Sequence, residues 1–503
     1  MNRPIVQKPA ANQGGFMLIA VMAIVTALLA TSIAFLRWPS DEQTQTNETI
    51  AAMQAYYLAQ QGIVEKGFAW LRSLPASQLP IHETVLEGER VPGIGKYETV
   101  AINALFGESG GNFWAQERRF RISTVGVVRM PFYDSGGNNR EHYKDVRRKA
   151  VLYVEVRNFA DYMYLSDNEM TWFGDRIKFW HGDTLNGRVH SNSQIAVMQD
   201  PVFYEQVTST AEDFWRGTGY APVFPTRKYP IFNANRVDIP VVAQNLRDGA
   251  AAQGHFYAGY GKTYRARFAN SEIKMFRWDT GTPVDSTDNW IVPISDRTCI
   301  FVDAPLEIHG LCGGRVTIGS SQNVRLLDDI RYTHSRPFDG YLAPNEFDNE
   351  ILGIVSEGDV KVANTVANGR ENSNGLGNNQ SNRAYTSIVI TAAIVALGTS
   401  FTFENQNDPD SGYVSSTIPD DRGTIYLYGS VTQMRRGYVH RSTNSSTGYL
   451  KQYKYDTRLL RIRPACFFDV TDEEGKALFN IVQWGQNREA QDERADGILA
   501  RYN

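Results

Sequence analysis

The feature that most constrains this chain is an apolar run near its start. From Phe16 to Leu36 no residue is charged, and the short leader before the run carries only Arg3 and Lys8. A helix rises 1.5 Å per residue, so a run of this length spans a bilayer core of roughly 30 Å. The sequence therefore predicts a transmembrane helix over residues 16–36. Basic residues on its short side predict that everything after Leu36 is exported.

Three kinds of N-terminal signal contain an apolar run near the start of the chain. A secretory signal peptide has a shorter apolar core and a small-residue cleavage site, whereas this run ends at Arg37-Trp38-Pro39. A plain signal anchor, which is not cleaved, is consistent with the length of the run. The segment Gly15-Phe16-Met17-Leu18-Ile19 resembles a third kind, the class III or prepilin signal. That resemblance implies a leader at residues 1–15, cleavage by a prepilin peptidase between Gly15 and Phe16, and methylation of Phe16.

Ala20 departs from the prepilin pattern. Most pilins carry Glu at the fifth mature position, where its carboxylate neutralises the amino terminus of a neighbouring subunit inside an apolar filament core. The resemblance therefore implies a subunit that needs no such partner, such as a minor pilin at a filament tip, or a protein that keeps the signal without polymerising.

The residues after the run predict a second helical stretch and then a small sheet. Residues 37–74 contain apolar residues at three- and four-residue spacing, which is typical of an amphipathic helix ending at Pro75. Its AYYLAQQGIVEKGFAWL stretch resembles the segment that follows the first helix in proteins with a PilX-type N-terminus. In residues 75–158, the alternating segments YETVAINALF, RRFRISTVGVV and RRKAVLYVEVRNF predict antiparallel strands.

The longest region, residues 159–466, contains many short apolar strands with turn residues between them. This spacing favours a β-helix-like domain, with a β-sandwich as the alternative. Residues 467–503 form a C-terminal tail in which a helix is considered. The predicted fold class is α+β: an N-terminal transmembrane, pilin-like helix with a small antiparallel sheet, followed by a large all-β domain.

The large region also resembles a poorly characterised extracytoplasmic domain found behind PilX-type N-termini. The matching segments are HGDTLNGRVHSN, ILGIVSEGDVKV, AAIVALGTSFTFEN, GSVTQMRRG and YKYDTRL. Members share an HG-x-VH-[ST]-N motif, which this chain represents with His181, Gly182, His190, Ser191 and Asn192. That domain implies no known reaction, and turn and coil-stacking hydrogen bonds are the role expected for His190-Ser191-Asn192.

The motifs that suggest chemistry are incomplete. His181 and His190, with Asp183 between them, lack a third metal ligand, so we predict no metal and no cofactor. Gly107-Glu108-Ser109-Gly110-Gly111 matches G-x-S-x-G but lies in a hairpin context without the strand-to-helix turn of a nucleophile elbow. Asp328 and Asp329 are strand neighbours that point to opposite faces. We therefore predict no catalytic residue and no enzymatic activity.

Charge and cysteine content limit the partners and the bridges. A net charge of -4 with no long basic run gives no electrostatic case for nucleic acid. Three cysteines are too few for a disulfide-rich scaffold. For a body outside the cytoplasm the sequence leaves two alternatives open: Cys299 and Cys312 pair and Cys466 is buried, or all three are reduced core residues.

The sequence thus predicts a non-enzymatic minor pilin-like subunit of the type IV pilus or type II secretion class. Its expected partners are a prepilin peptidase, other pilin-like subunits bound through the N-terminal helix, and the inner membrane, crossed once. Its body is expected outside the cytoplasm, with the pilus or the cell surface as the final location. The alternatives are an anchored β-helix enzyme or binding protein for polysaccharide, and a plain anchored envelope protein.

Overall fold

The structure is a computed structural model that describes residues 14–105, 118–132, 142–171, 173–338, 341–343, 349–369, 387–407, 420–442 and 446–486. Within these ranges, strands account for far more of the chain than helices do. The predicted α+β class is therefore wrong, and the fold is mostly β. The difference arises because the described helices are confined to one long N-terminal element and a few short ones.

A long helix opens the described chain. Helix α1 covers Gly14–Gln61, continues through a π-helical segment at Gly62–Phe68, and ends as α2 at Ala69–Ser73. The next residue, Leu74, is extended, with ψ of 142°. Leu74 precedes Pro75, and a proline ring disfavours helical backbone in the residue before it. The helix therefore ends just before Pro75, as the sequence predicts.

The predicted transmembrane helix over residues 16–36 is wrong. Among the described residues, no helix has both the length and the apolar character needed to cross a membrane. The apolar run is instead the first part of α1, which continues without a break through the polar SDEQTQTNE segment to Gln61. Sequence reasoning treated the run as a separate element because its charge-free length matched a bilayer.

The second half of α1 packs against a small antiparallel sheet. Strand β5 is its centre, with β4 and then β3 along one edge and β6 along the other, while β1 pairs with β4 and β2 with β3. The strands are β1 (Thr84–Leu86), β2 (Glu89–Val91), β3 (Gly95–Tyr97), β4 (Val100–Leu105), β5 (Arg119–Phe132) and β6 (His142–Val156).

Small residues let α1 lie close to this sheet. Ala51, Ala55 and Ala59 are almost fully buried between helix and strands. Opposite them, a Cβ added at Gly126 of β5 would lie 1.8 Å from the carbonyl oxygen of Ala55. Glycine is therefore the residue that this close approach of helix and strand backbones permits.

The large region begins with three short coils of chain. Their strands pair in parallel from coil to coil: β7–β10–β13, β8–β11–β14 and β9–β12. We call these three ladders faces A, B and C. The strands are β7 (Tyr162–Asn168), β8 (Lys178–Phe179), β9 (Thr184–Leu185), β10 (Arg188–Ser191), β11 (Ala196–Val197), β12 (Val202–Phe203), β13 (Val207–Ser209) and β14 (Trp215–Arg216).

Helix α3, Gln244–Ala252, then packs beside a second set of strands. These are β15 (Phe256–Ala258), β16 (Lys262–Asn270), β17 (Glu272–Asp279), β18 (Asn289–Pro293), β19 (Thr298–Asp303), β20 (Leu306–Cys312), β21 (Arg315–Ser320), β22 (Val324–Tyr332), β23 (Arg336–Phe338), β24 (Tyr341–Ala343), β25 (Ile351–Ser356), β26 (Val360–Val362), β27 (Ile388–Ala396), β28 (Phe401–Phe403), β29 (Asp420–Arg435), β30 (His440–Ser442) and β31 (Ser446–Tyr455). Strands β16 to β18 form an antiparallel unit at the beginning of this set.

The strands of the second set pair in succession until β29 reaches β7 of the first set. On face A, β15, β19, β21, β25, β27 and β29 pair in parallel, and the last part of β29 pairs with β7. Face B continues through β20, β22, β26 and β28. Face C runs through β27 and the first part of β29 to β31. The contact of β29 with β7, which we call the seam, joins two halves that lie far apart in the chain.

The end of the described chain returns to the small sheet. Strand β32, Phe479–Gln486, pairs antiparallel with β6. The coils are therefore inserted between two neighbouring strands of the small sheet. In the described part of the tail this strand stands where a helix was considered, and residues 487–503 lie outside the described residues.

The cysteine pairing differs from both alternatives that the sequence left open. Cys299 of β19 forms a disulfide with Cys466, and Cys312 is a buried free thiol. Cys299 and Cys312 are closer in sequence, but they belong to different strands of the coils. The segment that carries Cys466 instead returns past α3, where a Cβ at Gly249 would meet the Cys466 sulfur at 2.3 Å.

We expect Gly126→Val to destabilise the chain by about 1–3 kcal/mol, because a side chain would separate α1 from β5. Thermal unfolding measures the effect. Gly485→Ala on β32 is the matched control, since its Cβ would meet its nearest neighbour at 3.9 Å. An unchanged melting temperature for Gly126→Val would contradict the described helix packing.

We expect non-reducing peptide mapping to join the peptides that contain Cys299 and Cys466 and to leave Cys312 alkylated only after unfolding. The bridge closes a loop with a sequence separation of 167, so Cys466→Ser should lower the free energy of unfolding by about 2–4 kcal/mol. A Cys299–Cys312 peptide would contradict the structure.

Candidate functional site

Residues 22–32 of α1 have no packing partner among the residues whose side chains the structure describes. All side chains from residue 22 to residue 32 are exposed, including Met22, Ile24, Val25, Leu28 and Leu29. Apolar side chains here surround the helix, whereas a surface helix of a folded domain has a polar face. The segment 22–32 therefore exposes five large apolar side chains on one short stretch of helix.

The predicted processing residues lie on the same helix. Gly15, Phe16 and the filament-position marker Ala20 all have helical backbone within α1. Residues 1–13 of the predicted leader lie outside the described residues. The cleavage between Gly15 and Phe16, the methylation of Phe16 and the meaning of Ala20 therefore stay predictions.

The two signature histidines have different surroundings. His181 is exposed, and its Nδ1 lies 2.8 Å from the Asp200 carboxylate. Gly182 follows with a φ of +88°, in the left-handed region that glycine adopts without strain. His190 on β10 is only 3% exposed. The structure therefore does not join the two histidines in one site.

His190 and its neighbours form a buried hydrogen-bond network between coils. The His190 ring nitrogens lie 2.7 Å from Thr208 Oγ1 and 2.9 Å from Asn192 Oδ1. The Asn192 amide donates to the Val237 carbonyl oxygen at 2.6 Å, and its Oδ1 accepts the Val237 N–H at 2.8 Å. The Ser191 hydroxyl accepts a 3.0 Å hydrogen bond from Ser166. These bonds satisfy polar groups that would be costly to bury alone.

Burial controls the protonation of His190. It lowers the pKa of the ring to about 4, and the charges of Arg157 and Arg236 act in the same direction. The ring is therefore neutral at pH 7. Among the described residues, no group of three His, Cys, Asp or Glu side chains is arranged to hold a metal ion.

A second signature segment, GSVTQMRRG, meets the first coil at the seam. The Gln433 amide donates to the Tyr164 hydroxyl at 2.8 Å, across 269 sequence positions. Arg436 donates to the Glu169 carboxylate at 2.8 Å and to the Ile177 carbonyl oxygen at 3.0 Å. Its guanidinium also lies 3.8 Å from the centre of the Phe179 ring. Both members of the Arg436–Glu169 pair are buried, so loss of either would leave an uncompensated charge.

A cavity of about 760 Å³ opens beside this ion pair. On face A the ladder is continuous through the seam, but β8 on face B and β9 on face C are edge strands of their own small sheets. The chain segments around β8 and β9 form one wall, and residues around β28, β30 and β31 form the other. The cavity is therefore the space that the interrupted faces B and C leave open.

The cavity contains an ion pair of its own. Lys451 Nζ lies 2.8 Å from Asp183 Oδ1, and the other Asp183 oxygen accepts the Trp180 N–H at 3.0 Å. Burial lowers the pKa of Lys451, with a smaller contribution from the positive charge of Arg436, while Asp183 opposes the shift. Burial likewise lowers the pKa of His440. The cavity thus combines charges of both signs with neutral hydrogen-bonding groups.

Sequence reasoning named part of this site and missed the rest. Gly182 lines the cavity and His181 lies next to it in the chain, but Lys451 and Arg436 were not identified. The available signal was the charged pair Arg435-Arg436 within an otherwise strand-like segment. Ser109 lies outside the described residues. Asp328 and Asp329 lie on β22, where Asp329 accepts the Val389 N–H at 2.8 Å.

The comparisons with known proteins place one segment only. Residues 132–211 match the model of a domain of unknown function, DUF4900. The match covers β7 to β13 and the signature histidines, together with β6 from the small sheet. No curated protein and no solved structure matches this chain.

Because His190 is buried neutral, protonation favours the unfolded state, and stability should fall as the pH drops from 6.5 towards 4. A shift of this size corresponds to about 3 kcal/mol. We expect His190→Gln to be less stable than the natural chain at pH 7.5 and to lose less stability between pH 7.5 and pH 4.5. The measurement is chemical denaturation at both pH values.

The exposed His181 offers a matched control. His181→Gln should keep the full pH dependence, because this substitution leaves the His190 network intact. If His190→Gln loses stability on acidification as steeply as the natural chain does, a neutral buried His190 is refuted.

Proposed function

We propose that this chain is a non-enzymatic, pilin-like assembly subunit that displays its coils outside the cytoplasm. The observation that carries the proposal is the contrast between the two halves of α1. The second half is buried against the small sheet through Ala51, Ala55 and Ala59, whereas the residues from 22 to 32 are apolar or small and exposed. A helical segment with no charged residue and no continuous polar face favours partners around it.

Helices of other subunits are the partners that this geometry favours. Burial of one Leu, Ile, Val or Met side chain contributes about 1.5–3 kcal/mol. Five such side chains, Met22, Ile24, Val25, Leu28 and Leu29, are exposed on about two turns of helix. These five side chains lie within about half of the helix circumference, and Ala23, Ala27 and Ala30 lie on the other half, so the apolar surface is open on both sides of the helix. A bundle of similar helices would cover every side.

The second half of α1 supplies a firm attachment. The close contact of Ala55 with Gly126 holds the helix on β5, and a Lys144–Glu48 ion pair of 2.8 Å lies further towards the exposed half. The exposed segment 22–32 therefore belongs to a helix that is packed on the sheet from Ala51 onward. Such an arrangement can transmit the position of a helix bundle to the coils.

Two further features support the proposal. The Cys299–Cys466 disulfide favours an oxidising compartment, since such bonds persist outside the cytoplasm. The Gly15-Phe16 pair matches the cleavage pattern of a prepilin peptidase, which would be a partner. Ala20, in place of the usual Glu, favours a minor or tip position over a shaft position.

We expect Leu28→Asn combined with Leu29→Asn to reduce chemical cross-linking to other pilin-like subunits by roughly tenfold, because two exposed leucines that the helix bundle would bury are replaced by amides. Cross-linking of the full chain in cells, followed by mass spectrometry, measures the effect. The matched control is Val241→Asn combined with Ile291→Asn, which changes two exposed apolar residues outside α1.

The outcomes separate the proposal from its alternatives. Equal cross-linking in the α1 variant and the natural chain would refute assembly through this helix. N-terminal sequencing of the purified protein should find Phe16 as the first residue. An intact Met1 would remove the prepilin processing from the proposal.

A further inference from the structure

The cavity at the seam exposes groups that a continuous stack would cover. Within the first coils β8, β11 and β14 of face B pair in succession and β9 pairs with β12 on face C, and in the second set β20, β22, β26 and β28 pair in succession. At the seam β8 and β9 have no partner on this side among the described strands, and β30 turns back to pair antiparallel with β31. The groups between them therefore face open space.

Aromatic rings form part of the lining. Phe179 is buried and held beneath the Arg436 guanidinium, whereas Trp180 is 45% exposed and lies towards solvent. Tyr438 stands on the opposite wall, with the Arg441 guanidinium 4.6 Å from its ring centre. Trp180 on one wall and the half-buried Tyr438 on the other are therefore the rings that a ligand can reach, and Phe179 supports the first wall from beneath.

The polar groups of the lining carry both signs of charge. Asp183 and Lys451 form an ion pair, and Asp175 accepts a 3.3 Å hydrogen bond from the Tyr438 hydroxyl. A simple anion would face the carboxylates of Asp183 and Asp175, and a simple cation would face Lys451 and Arg441. A purely apolar ligand would remove water from the Asp183–Lys451 pair without replacing its hydrogen bonds.

We propose that this cavity binds a short oligosaccharide. A sugar has an apolar C–H face that can lie on an aromatic ring, and hydroxyl groups that can donate to Asp183 while accepting from Lys451. The volume of about 760 Å³ lies in the range of small-ligand sites. The buried Arg436–Glu169 pair fixes the Phe179 wall before the ligand arrives, which lowers the ordering cost of binding.

This inference goes beyond assembly and is independent of it. The lining comes from residues 163–198 and 401–454, none of which belongs to α1. A chain that fails to assemble could still bind the saccharide, and an assembled chain could fail to do so. The two proposals can therefore fail separately.

The test is binding of the full chain to an array of immobilised neutral and acidic oligosaccharides, followed by titration of the strongest binder in solution. We expect saturable binding to at least one saccharide class. Trp180→Ala should weaken the affinity by roughly tenfold, because stacking is lost, and Asp183→Asn by roughly fivefold or more.

The control variant is Trp484→Ala, which removes a partly exposed tryptophan from β32, outside the cavity. It should bind with natural affinity, and melting temperatures should show that all three variants fold. The proposal is overturned if no oligosaccharide on the array binds, or if folded Trp180→Ala and Asp183→Asn bind as tightly as the natural chain.

Discussion

The coils of this protein depend on one pairing, that of β29 with β7. The chain enters the stack at β7, builds the first coils away from it, and then returns from β15 towards the same strand. Without the contact between Val431–Arg435 and Tyr164–Asn168, the two halves would each present an open parallel edge. An open edge exposes a row of unpaired N–H and C=O groups, which favours pairing with other chains. The buried Arg436–Glu169 pair and the Gln433–Tyr164 hydrogen bond lie at this contact and select the correct register.

The seam also explains why the chain has a cavity. Backbone pairing is complete on face A, but faces B and C stop at β8 and β9. The Lys451–Asp183 ion pair then joins two walls that come from the first and the last parts of the coiled region. The buried network around His190 lies one coil away and holds the strands next to this wall. The position of the cavity is thus a result of where the chain begins and ends its stack.

Local patterns in the sequence indicated the local structure. Alternating residues marked β4, β5 and β6, and Pro75 marked the end of the opening helices. Long-range features gave no such signal. The partner of β29 is separated from it by the whole stack, and Cys299 pairs with Cys466, 167 positions away, although Cys312 is nearer. The apolar run predicts a transmembrane helix because its length matches a bilayer. Hydropathy alone does not show that the run is the first part of one helix, α1, which continues through a polar segment to Gln61.

The insertion of the coils between β6 and β32 has a mechanical consequence. The chain leaves the small sheet after Val156 and returns to the same strand at Phe479, so two covalent connections lie side by side. A pull on α1 is passed to β5 through the packed alanines and then shared between these two connections. The Cys299–Cys466 bond ties the returning segment to β19, so tension on that segment reaches the distant half of the stack directly. A force applied to α1 is therefore distributed over both halves of the stack and does not act on a single connection.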